Sequence, residues 1–145
     1  MKSNRIATLS LLALALLVSV PSTFAQTHVK ANADVPFAFK VGNSALPAGS
    51  YTVSSIASSA ISIASRESHA DVITLVRTEY ASKDQSPKLV FHKCGDQYFL
   101  AQIWDGSGKA GLQLPQSNLE KELQKETLAS NQGAGAEEYV VIALN

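Results

Sequence analysis

Alternation of apolar and polar residues predicts β-strands along most of this chain. In ADVPFAFKV, residues 33–41, apolar side chains recur at every second position from Val35, which is the period of a half-buried strand. Pro36 favours an edge strand or the start of a strand, because proline cannot donate to a ladder. Gly42-Asn43 then predicts a tight hairpin turn.

The strand pattern continues through a serine-rich region. Pro47 presets a bend before the alternating apolar residues of the next strand. In residues 54–65, β-branched isoleucines argue against a flexible linker and predict a strand with serine on its solvent face. Residues 71–80 predict a further strand, apolar enough from Val72 to Val76 to be covered on both faces. Residues 81–87 and 105–111 are interpreted as loops.

The segment VFHKCGDQYFLAQIW, residues 90–104, predicts a β-hairpin. Two strand-like runs flank Gly95-Asp96, an acceptable central pair for a primed two-residue turn. In that register Phe91 faces Leu100 and His92 faces Phe99. Both pairs place bulk opposite an aromatic ring, which stabilises a sheet by roughly 0.2 to 1 kcal/mol.

The C-terminal part of the chain predicts one helix and one strand. Ser117 and Glu120 have the spacing of a capping box. A short amphipathic helix is expected from about Asn118 to Leu128, with leucines on one stripe, packing weakly as a lid. The last seven residues before Asn145 predict a terminal strand. The fold class is therefore all-β, an antiparallel sandwich or small barrel of about seven or eight strands with one short C-terminal amphipathic helix.

The N-terminus has the layout of a secretory signal peptide. Lys2 and Arg5 precede an uncharged apolar run at residues 6–20, and small residues lead up to Ala25. We expect cleavage between Ala25 and Gln26. An uncleaved membrane anchor is disfavoured because the run is shorter than the roughly 20 residues that cross a bilayer.

Removal of this segment leaves a single β-rich domain at residues 26–145. The remaining ten basic and twelve acidic residues give a net charge of −2, and nothing in them favours nucleic acid. No other apolar run approaches membrane-spanning length, so no transmembrane segment is expected in the mature chain. The export signal places the protein in the periplasm or outside the cell.

Reactive side chains in the predicted hairpin raise the question of catalysis. His92 and Cys94 are two apart on one strand, so their Cβ atoms would lie roughly 6 to 7 Å apart on one face. A thiol or hydrolytic enzyme would also need a group that orients the histidine, donors for an oxyanion and a pocket. Only Asp96 and the Gly95 amide are near, and a hairpin tip is exposed, so no catalytic residue is expected.

Metal binding by the same three side chains is also disfavoured. His92, Cys94 and Asp96 are ligand types, but they fall short of the four ligands of a structural zinc site. No metal and no cofactor are therefore expected. Cys94 is the single cysteine of the chain, and it is open whether it is buried, a free thiol or part of an intermolecular disulfide.

Aromatic residues in the hairpin suggest a binding surface or a core. Tyr and Trp exposed on a sheet can stack on sugars or anchor a partner protein. With one Trp, 4 Tyr and 5 Phe in the chain, the core itself needs most of the rings. The candidate surface or ligand contacts of the hairpin are His92, Cys94, Asp96, Tyr98 and Trp104.

Three segments in the same order resemble one group of proteins. VPFAFKVGNSALPAGSYTV, LVFHKCGDQYFLAQIW and GLQLPQSNLEKEL are together similar to small exported proteins of unknown function that are numerous in acidobacteria. In that group the turn is more often similar to FHRYGD, with tyrosine at the position of Cys94, which argues against a cysteine nucleophile. The resemblance implies export and a single β-domain, and it brings no established activity.

These observations lead to one expectation and two alternatives. We expect an exported, non-catalytic β-domain that works by surface contact, as an envelope-associated or extracellular binding or structural module whose partner is a protein, a glycan or an envelope component. The first alternative is a carrier of a small apolar or carbohydrate ligand, which predicts a large cavity. The second is the enzyme built on His92 and Cys94, which predicts a hydrogen bond between them inside a cleft.

Overall fold

A computed structural model describes residues 30–130 and 138–145. These residues form eleven strands, arranged in two packed sheets, and one helix. This confirms the all-β sandwich class. The expected number of seven or eight strands is too low. The segments 33–41, 54–65 and 71–80, each predicted as one strand, are each divided between two strands, and the strands at residues 44–46 and 108–113 form in regions predicted as a turn and a loop. The expected signal peptide and its cleavage at Ala25 and Gln26 lie outside the described residues.

The elements are numbered in chain order. They are β1 (Lys30–Val35), β2 (Phe39–Val41), β3 (Ser44–Leu46), β4 (Gly49–Ala57), β5 (Ala60–Ser65), β6 (Asp71–Leu75), β7 (Arg77–Gln85), β8 (Lys88–Cys94), β9 (Gln97–Trp104), β10 (Gly108–Gln113), α1 (Asn118–Ser130) and β11 (Glu138–Ala143).

The first sheet has the order β1-β4-β5-β6, and the second has the order β11-β8-β9-β10-β7. Strand β2 joins the second sheet through a parallel pairing of Lys40 with Phe99 and forms a hairpin with β3. The chain changes sheets at the buried Val76, between β6 and β7. β6 is therefore an edge of one sheet and β7 an edge of the other.

The core lies between the sheets and contains aromatic rings from both. Phe39 packs edge-to-face on Tyr51 at 5.1 Å and on Phe91 at 5.3 Å between ring centroids. The Tyr51 hydroxyl donates to the Pro47 carbonyl at 2.6 Å, so the ring is buried while its polar end is satisfied. Burial of aliphatic side chains such as Val53 and Ile61 completes this interior.

The predicted hairpins are confirmed in their register. Cys94 pairs with Gln97 across the Gly95-Asp96 turn, Phe91 faces Leu100, and His92 faces Phe99. Gly95 has a φ of 59°, a left-handed conformation that glycine adopts without strain. The predicted turn at Gly42-Asn43 likewise joins β2 to β3.

Three expectations for the middle of the chain are wrong. Strand β6 is covered on one face only, since Ile73 is 66% and Leu75 is 68% exposed on the other face. Residues 81–85 and 108–111 are not loops, because β7 and β10 pair with each other over Arg77–Gln85 and Gly108–Gln113. This pairing joins segments more than twenty residues apart, so no local pattern reveals it.

The predicted helix is confirmed, and it extends two residues beyond Leu128. Its capping box is formed: the Glu120 amide donates to Ser117 Oγ at 3.1 Å, and the Ser117 amide donates to Glu120 Oε2 at 3.4 Å. The face that packs on the sheet carries Glu120 rather than the leucine stripe, since Leu119 is 38% exposed. In the part of the chain that is described, no helix is long and apolar enough to cross a membrane.

Candidate functional site

A polar cluster of His92, Cys94, Glu120 and Tyr139 lies between helix α1 and the outer face of the second sheet. The first three side chains are buried there, and Tyr139, at the border of the cluster, is 51% exposed. His92 and Cys94 lie two residues apart on β8 and therefore project to the same face. Phe91 and Leu89 project to the opposite face, into the core. The helix brings Glu120 over this outer face, and β11 places Tyr139 beside His92.

The strongest contact of this cluster joins His92 to Glu120. Nδ1 of His92 lies 3.0 Å from Oε1 of Glu120, and each residue is 3% exposed. A proton on Nδ1 lets the imidazole donate to the carboxylate, and this leaves Nε2 as an acceptor in the neutral ring. Because Oε2 of the same carboxylate accepts from the Ser117 amide, Glu120 ties the first turn of α1 to β8.

Cys94 meets the same nitrogen of the histidine ring. Its Sγ lies 3.8 Å from His92 Nδ1. In a nucleophile–histidine–carboxylate arrangement, one ring nitrogen takes the proton of the nucleophile and the other donates to the carboxylate. Here thiol and carboxylate share Nδ1, so His92 cannot accept from Cys94 while it donates to Glu120. The arrangement suits a packed polar contact better than an activated thiol.

Tyr139 completes the cluster by stacking on the histidine. The two rings are 5.3 Å apart at their centroids and inclined by 23°. Sequence reasoning missed this contact, as it missed the role of Glu120 beyond capping. Strand alternation in the last strand could have placed Tyr139 on one face, but only the pairing of β11 with β8 sets it beside His92.

Trp104 is held against the sheet by its neighbours. Its Nε1 donates to Gln102 Oε1 at 3.1 Å, and Gln102 Nε2 donates to Gln113 Oε1 at 2.9 Å. The indole lies over Gly111, where an added Cβ would stand 2.5 Å from the ring. This glycine therefore makes the room in which the Trp104 side chain is buried.

The expectation that the hairpin residues share an exposed surface is corrected for most of them. His92 is buried against Glu120 of α1 and the Tyr139 ring, Cys94 is buried against His92, and Trp104 is buried over Gly111. Asp96 is exposed in the turn, and Tyr98 is half-buried and stacks on Phe37 at 4.1 Å. Cys94 forms no disulfide within the described residues.

A small cleft adjoins the cluster. Its volume is about 120 Å³, below the roughly 300 Å³ at which ligand pockets begin. Its lining is mainly polar and comprises His92, Leu100, Ala101, Gln102, Gln113, Leu114, Gln116, Glu120 and Tyr139. Over residues 30–130 and 138–145, no group of three His, Cys, Asp or Glu side chains is arranged to hold a metal ion.

Two groups outside the cluster have raised pKa values. Burial is the main cause that raises the pKa of Tyr51, and the charge of Glu67 adds to it. The pKa of Lys93 is raised chiefly by the hydrogen bond that its ammonium donates to Glu138 at 2.9 Å. Both shifts belong to groups that hold the fold, and neither residue lines the small cleft beside the cluster.

The edge of β6 is a second candidate site, on the first sheet. The Ser65 amide donates to the Ala70 carbonyl at 2.8 Å, and the Val76 amide donates to the Ser59 carbonyl at 2.9 Å. Because backbone groups alternate in direction along an antiparallel strand, those of Asp71, Ile73 and Leu75 point away from β5. No strand of the described residues pairs with this side of β6.

The side chains of this edge are apolar and exposed. Ile73 and Leu75 share the outer face of the sheet with Asp71, whose Oδ1 accepts from Ser62 Oγ at 2.8 Å. We call Asp71–Leu75 the β6 edge. An unpaired strand edge that carries exposed apolar side chains is a template for another strand.

Comparison with known proteins gives no relative from which a function could be inferred. No protein family model, no curated protein and no solved structure matches this chain.

Proposed function

We propose that this protein is an exported, non-catalytic β-domain that works by surface contact, as a binding or structural module of the cell envelope or the extracellular space. The observation that carries this proposal is the β6 edge, where Ile73 and Leu75 are about two-thirds exposed beside unpaired backbone groups. Such an edge binds by adding a strand from a partner, since backbone hydrogen bonds give affinity and alternate side chains give specificity.

The lack of protection at this edge supports a contact function. Soluble proteins block edge strands with lysine, proline, bulges or a covering loop. From Val72 to Leu75 the β6 edge carries no charge and no proline, and only Asp71 at its start is charged. An edge left open in this way is a liability unless a partner covers it.

The buried cluster supports a non-catalytic domain. Glu120 and Cys94 approach the same nitrogen of His92, and all three side chains are almost inaccessible. Of the three, His92 and Glu120 line the small cleft, whereas Cys94 does not. The cleft beside the cluster does not support the carrier alternative, because it is small and its lining is polar.

Two features of the sequence support export. The first 25 residues have the layout of a signal peptide, and three segments of the chain resemble small exported proteins. N-terminal sequencing of the protein recovered from the periplasm or the medium tests it. Gln26 is expected as the first residue.

Site-specific photo-crosslinking in the producing cells tests the contact function. A photoreactive amino acid is placed at Ile73, and a matched control carries it at Asn43, an exposed residue of the β2–β3 turn. We expect a discrete crosslinked product from position 73 and none from position 43. Equal or absent crosslinking at the two positions would contradict the proposal.

A further inference from the structure

We infer that the small cleft beside His92 binds one sugar residue of a neutral glycan through its hydroxyl groups. The cleft lies on the second sheet, whereas the β6 edge belongs to the first sheet. The inference therefore goes beyond the proposed function and names a second contact site. Its evidence is the set of hydrogen-bonding groups that line the cleft.

A row of half-buried side-chain amides has its orientation fixed by Trp104. An indole N–H can only donate, so Gln102 must present its carbonyl oxygen to Trp104. The Gln102 nitrogen then donates to Gln113 Oε1 at 2.9 Å, and the Gln113 nitrogen donates to the Leu114 carbonyl at 3.4 Å. Each amide nitrogen carries a second N–H that no described residue accepts. Gln102 and Gln113 both line the cleft, so each can offer this N–H to a bound molecule.

The acceptor of the cleft is a nitrogen of His92. Because Nδ1 donates to Glu120, the neutral ring has a lone pair on Nε2. No described residue donates to Nε2, although His92 is only 3% exposed. In the described part of the chain, Gln97 Oε1 is the one fully buried side-chain nitrogen or oxygen that lacks a partner, so Nε2 is not sealed inside the protein. Since His92 lines the cleft, Nε2 is open to it.

Donors and acceptors side by side select hydroxyl groups. A hydroxyl donates one hydrogen bond and accepts others, so it can bind Nε2 of His92 and an amide N–H at once. An anion would lie near the Glu120 carboxylate, which repels it. An ammonium group has no lone pair for the N–H groups of Gln102 and Gln113. Adjacent hydroxyl groups of a neutral sugar ring satisfy both kinds of partner.

The size and the border of the cleft fit one sugar residue. Its volume of about 120 Å³ exceeds what one water molecule needs and is below that of a drug-sized pocket. Tyr139 lies at the border, 51% exposed, with its ring stacked on His92. A tyrosine ring combines an apolar face with a polar end, which suits contact with a sugar. Further residues of the glycan would remain outside, as a surface contact requires.

Fluorescence of Trp104 tests this inference, because the chain contains one tryptophan and its indole donates to Gln102 of the cleft. The protein is titrated with the methyl glycosides of glucose, galactose, mannose and N-acetylglucosamine. We expect a saturable change with at least one of them. Saturation-transfer NMR with the same four glycosides detects binding that leaves the fluorescence unchanged. Absence of both signals for all four glycosides overturns the inference.

Two variants test whether the glycoside binds in this cleft. Gln113→Glu keeps an oxygen that accepts from Gln102 but removes the N–H, so affinity should fall about tenfold. Tyr139→Leu removes the aromatic ring at the border and should also weaken binding. Tyr80→Leu is the matched control, since Tyr80 is 74% exposed and does not line the cleft, and it should leave affinity unchanged.

Circular dichroism and thermal unfolding verify that each variant is folded. Affinity that neither Gln113→Glu nor Tyr139→Leu lowers would place the binding outside the cleft and overturn the inference.

Charged sugars test the class of ligand. The neutral glycoside that binds best is compared with its uronic acid and amino sugar counterparts. The uronate should bind about tenfold more weakly, because its carboxylate is repelled by Glu120. Tighter binding of either charged form would assign the cleft to another class of ligand and overturn the inference. The crosslink from position 73 does not involve this cleft, so a failure of the sugar site leaves the proposed function standing.

Discussion

Nδ1 of His92 and Oε1 of Glu120 lie 3.0 Å apart in a buried contact between residues separated by 28 positions. The contact joins the second sheet to the first turn of helix α1, whose capping box uses the other oxygen of the same carboxylate. One side chain therefore starts the helix and fixes it to the sheet. We therefore expect the packing of helix α1 on the second sheet to depend on Glu120.

Glu120→Ala should lower the free energy of unfolding by about 3 kcal/mol, because it leaves His92 buried without its ionic partner and removes half of the capping box. Urea unfolding followed by circular dichroism measures this loss. Glu122→Ala, at an exposed position of the same helix, is the control and should change stability by less than about 0.5 kcal/mol. Equal losses in the two variants would refute the role of Glu120.

A double substitution tests whether the loss of stability in Glu120→Ala comes from the broken His92–Glu120 pair or from altered packing at this site. His92→Phe combined with Glu120→Leu replaces both polar partners by apolar groups, so no charge is left buried. Such replacements are often close to neutral, and we expect the double variant to be more stable than Glu120→Ala. A double variant at least as unstable as the single one would show that packing, not the pair, dominates.

Cys94 should be protected from thiol reagents in the native protein. Its side chain is buried against His92 and is 3% exposed. We therefore expect a thiol reagent to reach Cys94 only after helix α1 separates from the second sheet. Labelling in native buffer should be about 10³-fold slower than in denaturant, if opening is as rare as in typical domains. Glu120→Ala should speed native labelling, because it loosens α1, whereas Glu122→Ala should not. Native labelling as fast as in denaturant would show that Cys94 is accessible.

Gly111→Ala should destabilise the protein by about 2 kcal/mol, because the new methyl group overlaps the Trp104 ring and forces it to move. Chemical denaturation measures the effect, with Ala110→Ser as the exposed neighbouring control. In a Trp104→Leu background the same change should be milder, which a double-mutant cycle detects. If Gly111→Ala lowers stability as much in the Trp104→Leu variant as in the parent protein, the new methyl group does not act through Trp104.

Stability should fall as pH rises above about 10. Burial raises the pKa of Tyr51 above its ordinary value of 10.0, so the folded state keeps the phenol protonated where the unfolded state ionises. The resulting stabilisation is present below pH 10 and is lost as pH rises through the folded pKa. Lys93 acts in the same direction, because its raised pKa favours the ammonium in the folded state.

Tyr51→Phe identifies the tyrosine contribution to this pH dependence. Without a phenol, the decline of the unfolding free energy above pH 10 should be shallower than in the parent protein. At neutral pH the variant should lose about 1 kcal/mol, because the Pro47 carbonyl loses its donor. An unchanged alkaline slope would mean that other groups cause it.

Local patterns predicted the elements whose determinants are close together in the chain. The turn at Gly95-Asp96 fixed the register of its hairpin, because a two-residue turn leaves no choice of partner for the residues beside it. The capping box at Ser117 and Glu120 located the start of α1 for the same reason. Both depend on contacts within a few residues.

Expectations failed where a contact joined distant segments. β7 and β10 contain few apolar residues, so the sequence predicts loops over part of each, yet the two strands pair with each other. The position of His92 near a turn indicates exposure to solvent, but its side chain is buried against Glu120 of α1 and Tyr139 of β11. For Cys94, where burial was one of the open alternatives, the structure shows burial. The apolar run in β6 predicts a strand covered on both faces, whereas Ile73 and Leu75 are exposed on the outer face of the first sheet.

The sequence by itself determined the alternating strands, the tight turns, the capped helix and the layout of an export signal, because each depends on neighbours within a few residues. Only the tertiary structure decided which strands became edges and which polar side chains became buried. Those properties depend on pairing between remote segments. Pairing between remote segments therefore explains why His92 holds the helix to the sheet and why Ile73 is exposed.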